Sequence, residues 1–379
     1  MTRVLIAHQS GIPHYRVPFY TALERQSRPG LTFDVAWDPS QPFMPGLPVG
    51  ENPAQLPFST VQTRTFSARF LGRTIRVQDF LLHTRGYDLV VVEHALNNLS
   101  YPLSHFLQLG GMTLVYWGHG RDIRANPASA TKWAAEALKL RLARLADGYF
   151  AYTDGVKAYL VHRGLPEARI HVLNNTIDIL TERELWARFR PERSRIRAEM
   201  GLEDKRVLVF VGRFRRGKRL GFLRRAFQSL RRMDPSCCLL LVGEGDYPAG
   251  LDTQEEVRMM GPILEPERLA RILVAGDAYV IAGDVGLGPL QAMCYDLPVV
   301  AIQGSTHGPE FEYLSADNAI VLPHSVDAEA FAWSVHDLLE DPARLDAMSK
   351  SIWPSIAHLT VENMADRFIT GVETTLAYA

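Results

Sequence analysis

Cysteine is scarce: three residues in 379, Cys237, Cys238 and Cys294. Two are neighbours inside an apolar run, and the three offer neither zinc-ligand spacing nor a disulfide framework, so they read as core residues. Long hydrophobic runs are also missing. No unbroken apolar stretch approaches the roughly 18 residues of a membrane span, and the opening MTRVLIAHQ has no signal-peptide core, so a cytoplasmic chain is expected. Net charge is only −1. With no strongly basic domain and no recognised nucleic-acid module, a nucleic-acid partner is not expected. The dinucleotide fingerprint G-x-G-x-x-G is absent too: HQSGIPHYR follows the first apolar run, and Gly243-Glu244-Gly245 lacks the third glycine. That disfavours an NAD-dependent oxidoreductase.

What is there describes a globular chain, 47% hydrophobic and 22% charged, too long for one ordinary core. Charge is unevenly divided. Residues 1–178 carry 18 Lys and Arg against 13 Asp and Glu, so a net +5 there leaves −6 for residues 179–379. A basic half points to an anionic partner, either a phosphorylated ligand or a membrane surface.

Short β-branched runs alternate with longer helical patterns in both halves, the signature of parallel α/β layers. Strands are predicted at 4–9, 31–37, 87–93, 112–117, 148–153 and 170–175, then at 206–212, 237–243, 256–261, 278–283 and 298–302. The Pro- and Gly-rich stretch 38–57 reads as a long surface loop. The charged segment 181–205 is expected to connect an N-terminal domain (1–180) to a C-terminal one (206–355), with an amphipathic helix at 356–379 that packs back on the first. Two doubly wound domains place a ligand at the carboxyl ends of their strands, in the cleft between them.

Motifs gather at those strand ends. VLVFVGRFRRGKRL (207–220) nearly matches a P-loop, with Gly212, Gly217 and Lys218 in place, but Arg219 stands where a Ser or Thr would bind magnesium. Its surviving message is two cations, Arg213 and Lys218, at one strand end, suited to a diphosphate; the alternative is a solvated basic turn. GDVGLGPLQAM (283–293) is a glycine turn entering a helical stretch, and Gly286 and Gly288 leave backbone N–H groups open to an anion. Gly11 permits close approach after the first strand, and His14, Tyr15 and Arg16 follow it. His119, between two glycines after another strand, reads as a ligand contact or as a plain turn residue. RTFSARFLGRTIRVQDFLLH (64–83) mixes Arg64, Arg69, Arg73 and Arg76 with apolar side chains, as an interfacial helix on anionic lipid does; an amphipathic helix with solvated arginines is the alternative.

With these residues together, the chain resembles the GT-B-fold glycosyltransferases of family 4, retaining enzymes that use nucleotide sugars, over almost its full length and most strongly over 170–345. HVLNNTID (171–178) resembles that family's element before the linker, VGRFRRGK its Arg and Lys pair, LLLVGEGD (239–246) its next strand and glycine turn, VRMMGPI (257–263) its base-binding segment, and LPVVAI (297–302) the strand after its donor-site helix. The implied fold is α/β, two Rossmann-like domains facing across a cleft. The family's E-G-F-G, four residues, then E-A-M reads here with Gly283 and Gln291 at the two glutamate positions and Asp284 beside the first.

The resemblance implies transfer of a sugar from a nucleoside-diphosphate sugar, as co-substrate with no cofactor, to a glycan or lipid-linked acceptor of the cell surface, at the inner face of the membrane. Arg213, Lys218, His119 and Asp284 would carry the chemistry. Gly11, Gly212, Gly243, Pro262, Ile263, Gly286, Leu287, Gly288 and Gln291 would hold the donor, with Gln291 on the ribose. The acceptor falls to His14, Tyr15 and Arg16. The absence of Asp-x-Asp fits such an enzyme and argues against a metal-bound donor. A catalytically silent binding subunit and a sugar-nucleotide hydrolase or epimerase are the rival readings.

Overall fold

The computed structural model describes residues 1–378 except 9, 42–55, 71–72, 122–129 and 305. Most of the loop expected at 38–57 therefore lies outside the described residues. The chain divides into two compact units, residues 1–178 with 359–379, and residues 179–358.

The first unit contains, in order, β1 (Thr2–Ala7), α1 (Val17–Gln26), β2 (Leu31–Trp37), β3 (Thr60–Gln62), β4 (Thr65–Phe70), β5 (Arg73–Gln78), β6 (Leu89–Glu93), α2 (Ser100–Leu103), α3 (His105–Gln108), β7 (Thr113–Gly118), α4 (Ala130–Leu145), β8 (Gly148–Ala151), α5 (Asp154–His162) and β9 (Ile170–Val172). The second contains α6 (Ile179–Phe189), α7 (Arg193–Glu199), β10 (Arg206–Val211), α8 (Leu220–Met233), β11 (Cys237–Val242), β12 (Val257–Gly261), α9 (Pro266–Ala275), β13 (Ala278–Ile281), α10 (Leu287–Met293), β14 (Val299–Ile302), β15 (Ala319–Leu322), α11 (Ala328–Glu340) and α12 (Pro342–Ile356). The last helix, α13 (Val361–Tyr378), belongs to the first unit. Segment 181–205 thus forms two helices of the second unit, α6 and α7, and the turn into β10.

Strands buried on both faces read as continuous apolar runs, which is why VLIA and LVVV become neighbours in one all-parallel sheet and CCLLLV an inner strand of another. The first sheet runs β3-β2-β1-β6-β7-β8-β9, and the second β12-β11-β10-β13-β14-β15. Each reverses its winding once, between β1 and β6 and between β10 and β13. In such sheets ligands bind outside the carboxyl ends of the strands flanking the reversal.

Helix α13 presents Met364, Phe368 and Val372 at helical spacing, all fully buried. The Phe368 ring lies 4.6–5.9 Å from those of Phe19, Phe33, Trp117 and Phe150. Four aromatic neighbours around one ring make α13 part of the core of its unit.

The expectation of a helix over 64–83 is overturned. Residues 65–78 form an antiparallel ribbon, β4 against β5, with Phe66 opposite Val77 and Ser67 opposite Arg76. TFSARF and RTIRVQ alternate polar and apolar side chains with a period of two, the pattern of a strand, and their cross-strand ladder pairs inward-facing backbone groups in register. A short 3-10 turn, Asp79–His83, follows. No helix among the described residues is long and apolar enough to cross a membrane.

Candidate active site

In the second unit the two strands at the reversal, β10 and β13, end in the loops that carry the sequence motifs. The loops meet through backbone. Asp284 N–H donates to Gly217 O (2.8 Å), and Lys218 Nζ donates to Asp284 O (2.5 Å). A Cβ on Gly217 would collide with the Asp284 carboxylate, and one on Gly283 with Gly217 O, so glycine at both positions is a packing requirement. The Gly283 that replaces a family glutamate therefore sits where no side chain fits.

Asp284 is 6% exposed and pairs with Arg215 at 3.2 Å. Its carboxylate braces the 213–218 turn, a role that the sequence did not suggest for either residue. Arg213 leaves the end of β10 half-buried, directly after Gly212. Gly212, Phe214 and Gly245 continue the ladder towards β11: Gly212 N–H donates to Val242 O (2.9 Å) and Phe214 N–H to Glu244 O (2.7 Å). Gly243 lies in the same ladder, where a Cβ would strike Gly212 O. Beyond β12, Pro262 is exposed and Ile263 buried.

His307, absent from the sequence reading, holds the other loop. Its Nδ1 accepts from Val285 N–H (3.1 Å), which leaves the proton on Nε2 to donate to Ile302 O (2.9 Å), and its ring stacks on Phe311 at 4.2 Å. Burial lowers its pKa, which keeps the neutral tautomer that this bridge needs.

The two glycines of the turn differ. Leu287 and Gly288 open α10, and a Cβ on Gly288 would lie 2.8 Å from Tyr279 Oη and 2.9 Å from Val211 O, across the Tyr279 O–H bond to that carbonyl (2.9 Å). A Cβ on Gly286 would meet nothing within 4 Å among the described residues. Gly288→Ala is expected to cost about 1–3 kcal/mol of stability by overpacking. Gly286→Ala should melt like wild type and weaken nucleoside-diphosphate binding, because its methyl enters the open side. Denaturant titration and calorimetry check both; a Gly288→Ala protein of unchanged stability, or a Gly286→Ala protein of unchanged affinity, contradicts the assignment.

Gln291, half-buried on α10, is held from α6. Its Nε2 donates to Glu182 Oε1 (2.8 Å), and Tyr295 O–H donates to Glu182 Oε2 (2.7 Å). Arg183 fixes the same helix by bonding Asp296 Oδ1 (2.7 Å) and Cys294 O (3.1 Å). A carboxylate thus stands one hydrogen bond from the position where the family's glutamate is replaced.

In the first unit, the segments after β1, β7 and β8 converge. His14 is exposed, Tyr15 half-buried and Gly11 buried. Arg16 is 1% exposed. Its guanidinium donates to Asn175 Oδ1 (2.5 Å) and Tyr152 Oη (3.3 Å) and lies 4.9 Å from the Trp117 ring centroid. A buried Arg16 ties the 14–16 turn to the NNTID segment, so of the three residues only His14 is exposed and Tyr15 is half-buried. His8 stacks on the other neighbour of this cluster, Trp117, at 4.0 Å, and its pKa is pushed well down by burial and then by the charge of Arg16. His119 is exposed, with its ring 4.4 Å from that of Tyr152.

Comparisons with known proteins agree with this geometry. A family model described as glycosyl transferases group 1 matches residues 205–341, and one described as glycosyltransferase family 4 matches residues 23–179. A D-inositol 3-phosphate glycosyltransferase of Segniliparus rotundus is 31% identical over 186 residues, 45% of this chain and 40% of that protein. A GDP-mannose-dependent alpha-(1-6)-phosphatidylinositol monomannoside mannosyltransferase of Mycolicibacterium smegmatis is 31% identical over 181 residues, 42% of this chain and 46% of that one. The matched stretch spans less than half the length of these two relatives. Among solved structures, Anabaena HepE in complex with UDP superposes with a TM-score of 0.69 at 16% identity, covering 98% of this chain and 100% of that one. Sucrose-phosphate synthase from Thermosynechococcus elongatus gives 0.70 at 18%, covering all of both chains. With two reversing parallel sheets and a family model matching in each half, the chain belongs to the group 1, family 4 glycosyltransferases of the GT-B fold.

Proposed function

We propose that the protein transfers a sugar, with retention of configuration and without a metal or cofactor, from a nucleoside-diphosphate sugar to a glycan or lipid-linked acceptor of the cell surface. The observation that carries the reading is the meeting of the Gly212–Lys218 and Gly283–Gly288 segments at the strand reversal of the second unit, where Lys218 Nζ reaches Asp284 O and Arg213 follows Gly212 directly. There the two cations stabilise the departing diphosphate as its oxygen leaves the anomeric carbon. The acceptor hydroxyl attacks from the same face, a new C–O bond replaces the old one, and the hydroxyl proton passes to the departing phosphate oxygen. Gly11, Gly212, Gly243, Pro262, Ile263, Leu287 and Gly288 shape the donor site, and Gln291 meets the ribose. His119 meets the sugar, and His14 and Tyr15 meet the acceptor. Asp284 acts by bracing Arg215 and the turn.

Support for the donor class comes from relatives named for GDP-mannose and from HepE structures with UDP and UDP-glucose. Relatives named for inositol phosphate and phosphatidylinositol mannoside support a phosphorylated or lipid-linked acceptor. We further propose a cytoplasmic location with contact to an anionic membrane surface through residues 64–83.

The test is a thermal-shift screen of nucleoside diphosphates and their sugars, followed by product analysis with and without acceptors. A nucleotide-dependent rise in melting temperature and a product of retained anomeric configuration are expected. Sugar release without acceptor would make it a hydrolase. Binding with no turnover would favour a silent subunit, the reading that the lost carboxylates at Gly283 and Gln291 support.

A further inference from the structure

The β4–β5 ribbon exposes Phe66, Ser67, Ala68 and Arg69 of β4 and Thr74 and Val77 of β5. Phe66 is 62% exposed and its cross-strand partner Val77 41% exposed. The parallel bridge between Arg76 and Asn98, with Leu99 N–H donating to Arg76 O (2.8 Å), brings Leu99, 41% exposed, beside Val77. Side chains alternate across a ribbon, so Phe66, Ala68, Ile75 and Val77 share one face while Ser67, Arg69, Thr74 and Arg76 share the other. Apolar side chains left in water side by side on a two-stranded ribbon mark a surface that meets something.

We propose that this ribbon is a membrane-docking element whose apolar face, with Leu99 beside it, seats in the interfacial zone of an anionic lipid bilayer while Arg64 and Arg69 meet the headgroups.

Charge selects the occupant. Residues 64–78 contain four arginines and no acidic residue. Arg64 and Arg69 are exposed, and Arg69 lies on the face opposite Phe66. Basic side chains flanking a small apolar face are what anionic lipid attracts and holds, since neither the charge nor the apolar area suffices alone. The ribbon is also close to the strand ends: the charge of Arg76 acts on Glu93, the last residue of β6, whose carboxyl burial pushes up to about 7 against the opposing charges of Lys139 and Arg76. β6 flanks the reversal of the first sheet, so docking here brings the bilayer near the edge where an acceptor of this unit would bind.

This deepens the surface contact proposed above and is independent of the transfer chemistry, because vesicle binding is read with no donor present. The experiment is co-sedimentation of the full chain with vesicles of phosphatidylglycerol and phosphatidylcholine, or of phosphatidylcholine alone, across a salt series. Wild type should bind the anionic vesicles, weaken with salt and bind the neutral ones poorly. The triple variant Phe66→Ser/Val77→Ser/Leu99→Ser should lose roughly tenfold or more in partitioning, and Arg64→Gln/Arg69→Gln should lose most of the salt dependence. All five side chains are exposed, so unchanged melting temperatures are expected and confirm folding. Equal binding by wild type and the triple variant overturns the proposal, as does no binding of wild type to anionic vesicles. If the triple variant instead abolishes self-association in sedimentation, the ribbon joins two copies of the chain and the lipid proposal falls.

Discussion

Lys218→Ala and Arg213→Ala are each expected to slow glycosyl transfer roughly 30- to 1000-fold, or ~2–4 kcal/mol of transition-state stabilisation, with KM for the donor changing much less. The negative charge these side chains face grows as the diphosphate leaves, so their contribution belongs to the transition state more than to binding. Lys218 Nζ also donates to Asp284 O, so its removal loosens the junction of the two loops as well as the charge. Lys218→Ala should therefore also lower the melting temperature slightly. Steady-state kinetics beside thermal unfolding separates the loss of charge from the loss of the junction. Near-normal turnover in both folded variants would remove the diphosphate assignment.

The second large effect concerns the Gln291–Glu182 pair. By local chemistry alone, Gln291→Glu restores the family's residue and should stay competent. The contact with Glu182 reverses that expectation, because the new carboxylate would face another carboxylate at the present 2.8 Å contact. Two such groups cannot both ionise without cost, and Tyr295 O–H already donates to Glu182. A loss of about 1–3 kcal/mol in stability or nucleoside-diphosphate affinity is expected. Glu182→Gln/Gln291→Glu should recover most of it, because an amide again faces a carboxylate with the roles exchanged. Gln291→Ala should weaken nucleotide binding by about 1–2 kcal/mol. Calorimetry and unfolding on the four proteins decide. A Gln291→Glu single variant equal to wild type in both readouts rules out the coupling, and unchanged affinity in folded Gln291→Ala rules out the ribose contact.

The parallel sheets were legible because strands buried on both faces announce themselves as unbroken apolar runs. Strands that escaped notice, β3 and β15, are three and four residues long with half-exposed positions, so they lack such a run. The ribbon was misread for a related reason: with most of β4 exposed it has no continuous buried stripe, and its interleaved arginines and apolar residues fit helical spacing as well as alternation. At the site, the cations and glycines of 212–218 and 283–288 were visible as local motifs. Glu182 was not, being 109 positions from Gln291. His307 acts through its two ring nitrogens on backbone groups, which leaves no pattern in neighbouring residues. Arg16 looked like a surface cation because charged side chains usually are, and only the aromatic faces and Asn175 around it explain its place inside.

The return of α13 to the first unit has a consequence for synthesis. When residue 178 has been polymerised, the sheet of the first unit still lacks the helix that carries Phe368, and the whole second unit must be made before that helix appears. At ~5–20 residues per second, roughly 10–40 s pass in between. During that time the second unit, continuous in sequence, can complete its own core, while Phe19, Phe33, Trp117 and Phe150 wait for their shared neighbour. The half of the chain that leaves the ribosome first is therefore the last to finish folding, and a chaperone that shields apolar surface would be needed most by the half already released.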